Sequence, residues 1–342
     1  MGLSVRTLQL HEECDVLLRV LERNLAGSDH RRRYEWLYHH NPAGAGLAWG
    51  AFQDPEEAPV GVASVIPVYL WIDGKRMLGG RVEDFAVDPS HRSLGPAVIL
   101  QRATFQPVDT EAMALCWDTP PHALGMATFR RLGMGASANV YRYVRLVRTA
   151  PWLQKRFDLR GPVAATLGVM VDSWLRLGWR RTRGIEISEH GGSLGDEFTE
   201  LDEVVAAHSP VVRGSRSARE LTWLYREQPL RRHELLTARR GRDLVGWAVC
   251  LVGGETIDLV DWLAIEGSAA FEGLVSAVTA QAREMGKVRV QALVTDERRI
   301  GDVLKDYGFS RREHACSVVV YRGRGIEPPR DSWSLRGVDV RA

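Results

Sequence analysis

The chain has 342 residues, 45% apolar and 26% charged, and its 45 Lys+Arg against 43 Asp+Glu give a formal net charge of +2. That length allows two domains or one large one with a full buried core, and the near-neutral balance gives no global reason to expect nucleic acid as a partner. The four cysteines (Cys14, Cys116, Cys250 and Cys316) are far apart, which argues against disulfides and a zinc site and for reduced thiols in a cytoplasmic protein.

In chain order, the pattern predicts a short strand over Val5–Leu10, then helices over 12–26 and 30–40, the second ending before Pro42. Strands follow over 47–53, 59–72 and 77–87, with Asp73-Gly74 as the hairpin turn between the last two. A helix starts near Pro96, a residue suited to a first helical turn. Strand 112–117, helix 122–132 and a closing strand over 136–147 complete the first half. The second half repeats the series: strand 185–189, helices 198–208 and 216–227, and strands 233–239, 243–252 and 256–265. Helix 268–285, strand 288–294, helix 296–306 and strand 313–321 close it. No basic leader with an apolar run opens the chain, and no 18-residue uncharged apolar run occurs.

Local motifs recur in the same order. Trp36-Leu37-Tyr38 with Pro42 matches Trp223-Leu224-Tyr225 with Pro229. "RVEDFAVD" matches "DLVDWLAI", and "FRRLGM" matches "LKDYGF". Several matches in register argue for duplication. The expected fold class is α/β (α+β): two tandem domains, each a mixed, mostly antiparallel sheet flanked by helices. The expected boundaries are 1–147 for the first domain, 148–184 for a linker helix, 185–325 for the second domain and 326–342 for a tail. Within the linker, 161–179 is apolar on nearly every side. It reads as an interdomain helix, or as a peripheral membrane contact.

"FAVDPSHRSLGPAVIL" joins a strand to a helix through Arg92-Ser93-Leu94-Gly95-Pro96-Ala97. Free N–H groups and the dipole at a helix start attract an anion, glycine permits close approach, and arginine adds a charge-assisted contact. The sequence here resembles the GNAT superfamily of acyl-CoA N-acyltransferases, whose pyrophosphate loop is Arg/Gln-x-x-Gly-x-Gly/Ala between a strand and a helix. Arg92, Gly95 and Ala97 stand at its fixed positions. "VEDFAVDPSHR" resembles that family's fourth strand, and "FRRLGM" its late helix. "RRRYEWLYHHNPAG" is similar to a segment of tandem-domain bacterial members. The likeness covers 1–147 and, more weakly, 185–322.

The resemblance implies acetyl-CoA or another acyl-CoA as co-substrate and no metal. Arg92, Ser93, Leu94, Gly95 and Ala97 would hold the pyrophosphate, and the Phe85, Ala86 and Val87 backbone the pantetheine arm. It also implies a β-bulge on the fourth strand and an acidic base there, Glu83 with Asp84 as fallback. Strand alternation lets only one of the two face the substrate. Two departures stand out. Pro96 removes one N–H, and Phe129 occupies the usual tyrosine acid position, leaving Tyr141 or Tyr143 as substitutes. His122, His39-His40 and a covalent role for Cys116 are weaker candidates, and Trp36 and Tyr38, kept in both copies, read as core. The second-half turn "AIEGSAAFEGL" lacks the arginine, so that half reads as non-catalytic. The expected activity is acyl transfer, with acetyl as the expected group, to a small amine such as an amino sugar or amino acid derivative, by a monomer or homodimer. Two alternatives stand beside it: an aminoacyl-tRNA-dependent transferase of similar fold, and a non-catalytic acyl-CoA-binding or scaffolding protein.

Overall fold

The computed structural model describes residues 2–27, 29–53, 58–92, 94–120, 123–150, 154, 184–209, 211–295, 298–326 and 333–340. The expected linker helix, including 161–179, lies outside the described residues apart from its ends, as do Ser93 and His122.

Among the described residues, thirteen strands form one sheet. The first half supplies β1 (Leu3–Thr7), β2 (Leu47–Gln53), β3 (Gly61–Ile72), β4 (Lys75–Val87), β5 (Leu115–Asp118) and β6 (Ala138–Leu146). The second supplies β7 (Glu186–Glu189), β8 (Arg213–Gly214), β9 (His233–Arg240), β10 (Asp243–Val252), β11 (Thr256–Ala264), β12 (Arg289–Thr295) and β13 (Ser310–Arg322). The order across the sheet is β1-β2-β3-β4-β5-β13-β6-β12-β11-β10-β9-β7, with β8 pairing to β3. Only β4–β5 and β11–β12 are parallel pairs among the described strands. The class is therefore the expected mixed, mostly antiparallel α/β arrangement.

The two closing strands have changed places. β13 pairs with β5 of the first half, and β6 pairs with β12 of the second. β6 and β13 then pair with each other, which fuses the halves into one sheet. The sequence boundary at 147 follows the repeat, whereas in space β6 completes the second half's sheet. The segment read as a tail also joins the fold: Trp333 and Leu335 are buried, and Asp339 pairs with Arg216 at 2.7 Å.

Period-two alternation explains the burial of β3. Val62 and Ile66 face one cluster, while Ala63 and Val65 face another. The first cluster lies under α1 (Leu10–Asn24), α2 (His30–Tyr34), α6 (Asp196–Ala207) and α7 (Ala218–Leu221), the paired helices of both halves. The opposite face carries α3 (Leu94–Ala103) and α5 (Ala123–Arg131) in the first half, with the short α4 (Gln106–Asp109) between them. In the second half it carries α8 (Ala270–Glu284) and α9 (Arg298–Asp306). Gly80 is required where β4 meets β5, because a Cβ there would overlap Val65 Cγ1 and lie 2.7 Å from Cys116 Sγ.

The repeated Trp-Leu-Tyr motifs form two π-helical turns, Glu35–His39 and Thr222–Arg226. They meet reciprocally. Trp36 Nε1 donates to the Trp223 carbonyl at 2.9 Å, and Trp223 Nε1 donates to the Trp36 carbonyl at 3.0 Å. The indoles stack with centroids 5.0 Å apart. Reading both tryptophans as core is consistent with their burial. Among the described residues, no helix is long and apolar enough to cross a membrane.

Truncating either indole empties a buried stacked site, so Trp36→Ala and Trp223→Ala should each cost about 3–5 kcal/mol in denaturant unfolding. Their double mutant should cost less than the sum by about 0.5–3 kcal/mol, since each single change already breaks the shared contact. Strict additivity would show that the two turns are energetically independent.

Candidate active site

β4 and β5 pair only at Gly80–Cys116 and Arg81–Trp117. Beyond that point β4 continues to Val87 while the strands part. The opening is a cavity of about 530 Å³, lined by Arg33, Glu83, Asp84, Phe85, Asp118 and Thr119, among others.

A bulge sits at this point on β4. Ser64 lies opposite Glu83 and Val62 opposite Ala86, so Asp84 and Phe85 together face the single residue Ala63. Asp84 has φ +49°, a left-handed conformation that is costly for a side chain larger than glycine. Its carboxylate is held from two directions. Arg33, at the end of α2, donates to Oδ1 at 2.6 Å and Oδ2 at 2.8 Å, and Tyr38, on the π turn, donates to Oδ2 at 2.7 Å. Burial works against the Arg33 charge, but the Asp84 and Glu83 carboxylates outweigh it and raise its pKa. Burial and the Asp84 charge push Tyr38 well above the usual phenol range.

The bulge overturns the expectation that only one of Glu83 and Asp84 faces this side. Both reach the same guanidinium, Glu83 Oε2 lying 3.1 Å from Arg33 Nη2. Glu83 is held a second time by Arg81, with Nε 2.7 Å from Oε1. The two predicted bases are thus brought together, each already ion-paired.

Asp118, at the end of β5, was missed. Burial pushes its carboxyl up to about 7, the Glu83 charge adds to the rise, and a hydrogen bond from the Thr119 backbone opposes it. A carboxyl near neutrality in an open cavity suits proton transfer. A readable signal existed: one acid follows the apolar Leu115-Cys116-Trp117, just before Thr119-Pro120. Arg33 was also missed, because the run Arg31-Arg32-Arg33 looks like a solvated face.

The predicted loop follows the bulged strand directly. Phe85 is half-buried beside the cavity, while Ala86 and Val87 are buried on opposite faces of β4. Arg92 is exposed, its Nε donates to the Val87 carbonyl at 3.1 Å, and its terminal amino groups have no hydrogen bond or ion pair among the described residues. Helix α3 begins at Leu94, so the backbone N–H groups of Leu94, Gly95 and Ala97 have no partner within the helix. Gly95 is exposed and Ala97 half-buried. Asp88, the acid nearest the loop, is occupied by Arg23 at 2.7 Å and Asn24 at 2.5 Å. A diphosphate fits these groups: free donors, an available guanidinium and a neutralised neighbour. Pro96 removes one donor among four.

The remaining candidates lie elsewhere. Tyr141 is on β6 among second-half strands, with the Arg311 guanidinium 3.5 Å from its ring centroid, and does not line this cavity. Tyr143 and Phe129 are buried in core clusters. His39 and His40 line a separate cleft between the halves. Burial pushes the Cys116 thiol up to about 12, so it is no nucleophile at ordinary pH.

The second half keeps the scaffold and loses the acids. β11 bulges at Val260, and Tyr225 donates to Asp261 at 2.6 Å, as Tyr38 does to Asp84. Val260 stands where the first half has Glu83, and Ala292 where it has Asp118. The loop before α8 carries Glu266, closes on itself through Ser268 Oγ to the Ile265 carbonyl at 2.6 Å, and is followed by Glu272 in the first helical turn.

The sign of the Asp118 effect on stability follows from its raised pKa. A carboxyl at 3.8 in the unfolded chain and about 7 in the fold is tolerated when protonated and costs stability as pH rises between those values. Asp118→Asn should therefore match the wild type in thermal unfolding below pH 4 and exceed it by about 1–3 kcal/mol at pH 8. A pH-independent difference would contradict the shifted carboxyl.

A scan against protein-family models and a search of curated proteins find no match. Solved structures match throughout. A conserved protein of Enterococcus faecalis V583, described as a probable N-acyltransferase, is 12% identical, with TM-score 0.68 over 94% of this chain and 73% of its own. A GCN5-related N-acetyltransferase from Anabaena variabilis is 12% identical, with TM-score 0.65 over 93% of this chain and 72% of its own. Saccharomyces cerevisiae N-myristoyltransferase with bound myristoyl-CoA is 11% identical, with TM-score 0.60 over 99% of this chain and 89% of its own. At these identities the likeness is one of fold, and the chain has the fold of the GCN5-related N-acetyltransferases.

Proposed function

We propose that the protein is an acyl-CoA-dependent N-acyltransferase whose donor site lies in the first half, 1–147, and whose acceptor is a small amine. The observation that carries this reading is the bulge at Asp84. It sits where β4 and β5 part, beside a near-neutral carboxyl and immediately before the Arg92–Ala97 loop. Arg92 and the N–H groups opening α3 hold the coenzyme diphosphate. The β4 backbone from Phe85 to Val87 positions the pantetheine arm, whose thioester is the acyl source.

In transfer, the amine nitrogen bonds to the thioester carbonyl carbon, the carbon–sulfur bond breaks with its electron pair going to sulfur, and the amine gives up a proton. Asp118 is assigned as the acceptor of that proton. Glu83 and Asp84, each bound to Arg33, hold the bulge, while burial and then the Glu83 charge keep Asp118 protonatable near neutral pH. The second half, 185–325, has Val260 and Ala292 in place of Glu83 and Asp118, lacks the basic loop, and is assigned a supporting role. Four free thiols fit a reducing cytoplasm.

The first test is thermal unfolding with acetyl-CoA, CoA and a long-chain acyl-CoA. A ligand at a hundred times its Kd should add about 2.7 kcal/mol of stability, and Arg92→Ala with Gly95→Glu should abolish the gain. No gain with any of the three rejects the coenzyme reading; the strongest responder identifies the acyl chain. Once an acceptor is found, kcat/KM should rise with pH through an inflection near 7. Asp118→Asn should remove that inflection and lower kcat by about 10²–10⁴-fold. An unchanged profile in the variant removes Asp118 from the chemistry.

A further inference from the structure

The second half opens its sheet as the first does. β11 and β12 run parallel only from Thr256–Arg289 to Leu259–Ala292, and the bulge at Val260 follows. The opening is a cavity of about 330 Å³ with walls from both halves: Arg81 and Arg142 from the first, and Arg231, His233, Asp258 and Gln291 among those from the second.

The charges lining this cavity do not balance. Arg81 is committed to Glu83 at 2.7 Å and to the Val338 carbonyl at 2.8 Å. Arg142 has Glu313 at 3.4 Å, a half-exposed contact worth little. Asp258, the acid of the lining, accepts from the Gln291 amide at 2.5 Å. The Arg231 guanidinium has no hydrogen bond or ion pair among the described residues, although its backbone N–H is fixed by Gln228 Oε1 at 2.6 Å. Beside it, His233 Nδ1 is buried and has no hydrogen-bond partner among the described residues.

A buried ring nitrogen without a partner costs stability, and the exposed guanidinium beside it is left to solvent. Burial, and then the Arg231 charge, push His233 down to about 4, so the ring is neutral at ordinary pH and can donate from one nitrogen. Its ring is oriented by the edge contact with Tyr225, centroids 5.1 Å apart. A planar guanidinium and an imidazole N–H side by side form a receptor for an anionic oxygen group. Such a ligand would accept from the imidazole N–H and neutralise the arginine together.

Arg231 has a second position of note, since it also lines the first-half cavity that contains Glu83 and Asp118. An anion on its guanidinium therefore sits at a wall common to both cavities. We infer that Arg231 and His233 bind the anionic group of the acceptor, so that the substrate is an amine also carrying a carboxylate or phosphate. Its anionic end lies in the second-half cavity and its amine points to Asp118. This assignment rests on the acyltransferase reading, and it makes the second half the part of the molecule that selects the acceptor.

Two measurements keep the inference separable from that reading. The first needs no coenzyme. Thermal unfolding is followed in succinate and in inorganic phosphate, against chloride at matched ionic strength, with Arg92→Ala and Gly95→Glu together as background so that the α3 loop does not contribute. The anions should stabilise this background, and adding Arg231→Gln, an exposed substitution, should abolish the effect. The second measures transfer to amino acids against their carboxamides, and to an amino sugar against its phosphate ester, which separates carboxylate from phosphate. The anionic member of one pair should be favoured at least about tenfold in kcat/KM. Arg231→Gln should erase the preference through KM, with kcat little changed. Equal anion stabilisation with and without Arg231, or equal use of charged and uncharged partners by the wild type, overturns the inference. Anion binding through Arg231 in a protein that binds no acyl-CoA would overturn the acyltransferase reading and the assignment to an acceptor, and would leave only the anion site.

Discussion

The exchange of closing strands is the constraint on which the rest depends. β5 has β4 on one side and β13, from the far end of the chain, on the other. β12 is likewise completed by β6. Each half therefore lacks a strand of its own sheet and borrows it from the other. The reciprocal Trp36–Trp223 contact repeats the arrangement on the helical face, with each indole donating to the other's carbonyl. Such pairwise reciprocity is the signature of two-fold contact, realised here within one chain.

Within that frame the β4 bulge sets the chemistry. One extra residue breaks the alternation of the strand, turns Asp84 into a left-handed conformation and brings two acids to one arginine. The second half keeps the bulge and the tyrosine–aspartate bond but replaces the other two acids with Val260 and Ala292. There, Arg216 is buried between Asp261 at 2.5 Å and Asp339 at 2.7 Å, tying the last described segment to the bulge. A paired buried cluster of this kind holds a geometry more than it adds stability. The two halves share the scaffold, and only the first carries the full set of acids.

Much of this was legible in the sequence, for physical reasons. The hairpin at Asp73-Gly74, the strand over 243–252 and the helix start after Arg92 are encoded locally by turn chemistry and periodicity. The likeness of the two π turns was legible because Trp-Leu-Tyr recurs in register. What escaped was non-local. No periodicity reports that β6 and β13 trade partners, since either pairing buries the same faces. The resemblance implied a bulge on this strand, but the expectation that Glu83 and Asp84 point apart failed because the position of a bulge is a property of two strands, set here by Ala63 facing Asp84 and Phe85 together. Asp118 escaped because its altered acidity comes from burial and from Glu83, neither of which its neighbours in sequence reveal.

The strand exchange also bears on how the protein comes to exist. Asp118 pairs with Val319, so the strand end carrying the near-neutral carboxyl gains its second neighbour only when the last strand docks. Pairing across such a sequence separation makes loop closure costly and folding slow. During synthesis, the first half must wait with β5 unpaired on one edge while the second half is made, an exposure that invites wrong pairing. A chain with this topology acquires its cleft in a late, global step, and the carboxyl in that cleft acquires its raised pKa at the same moment.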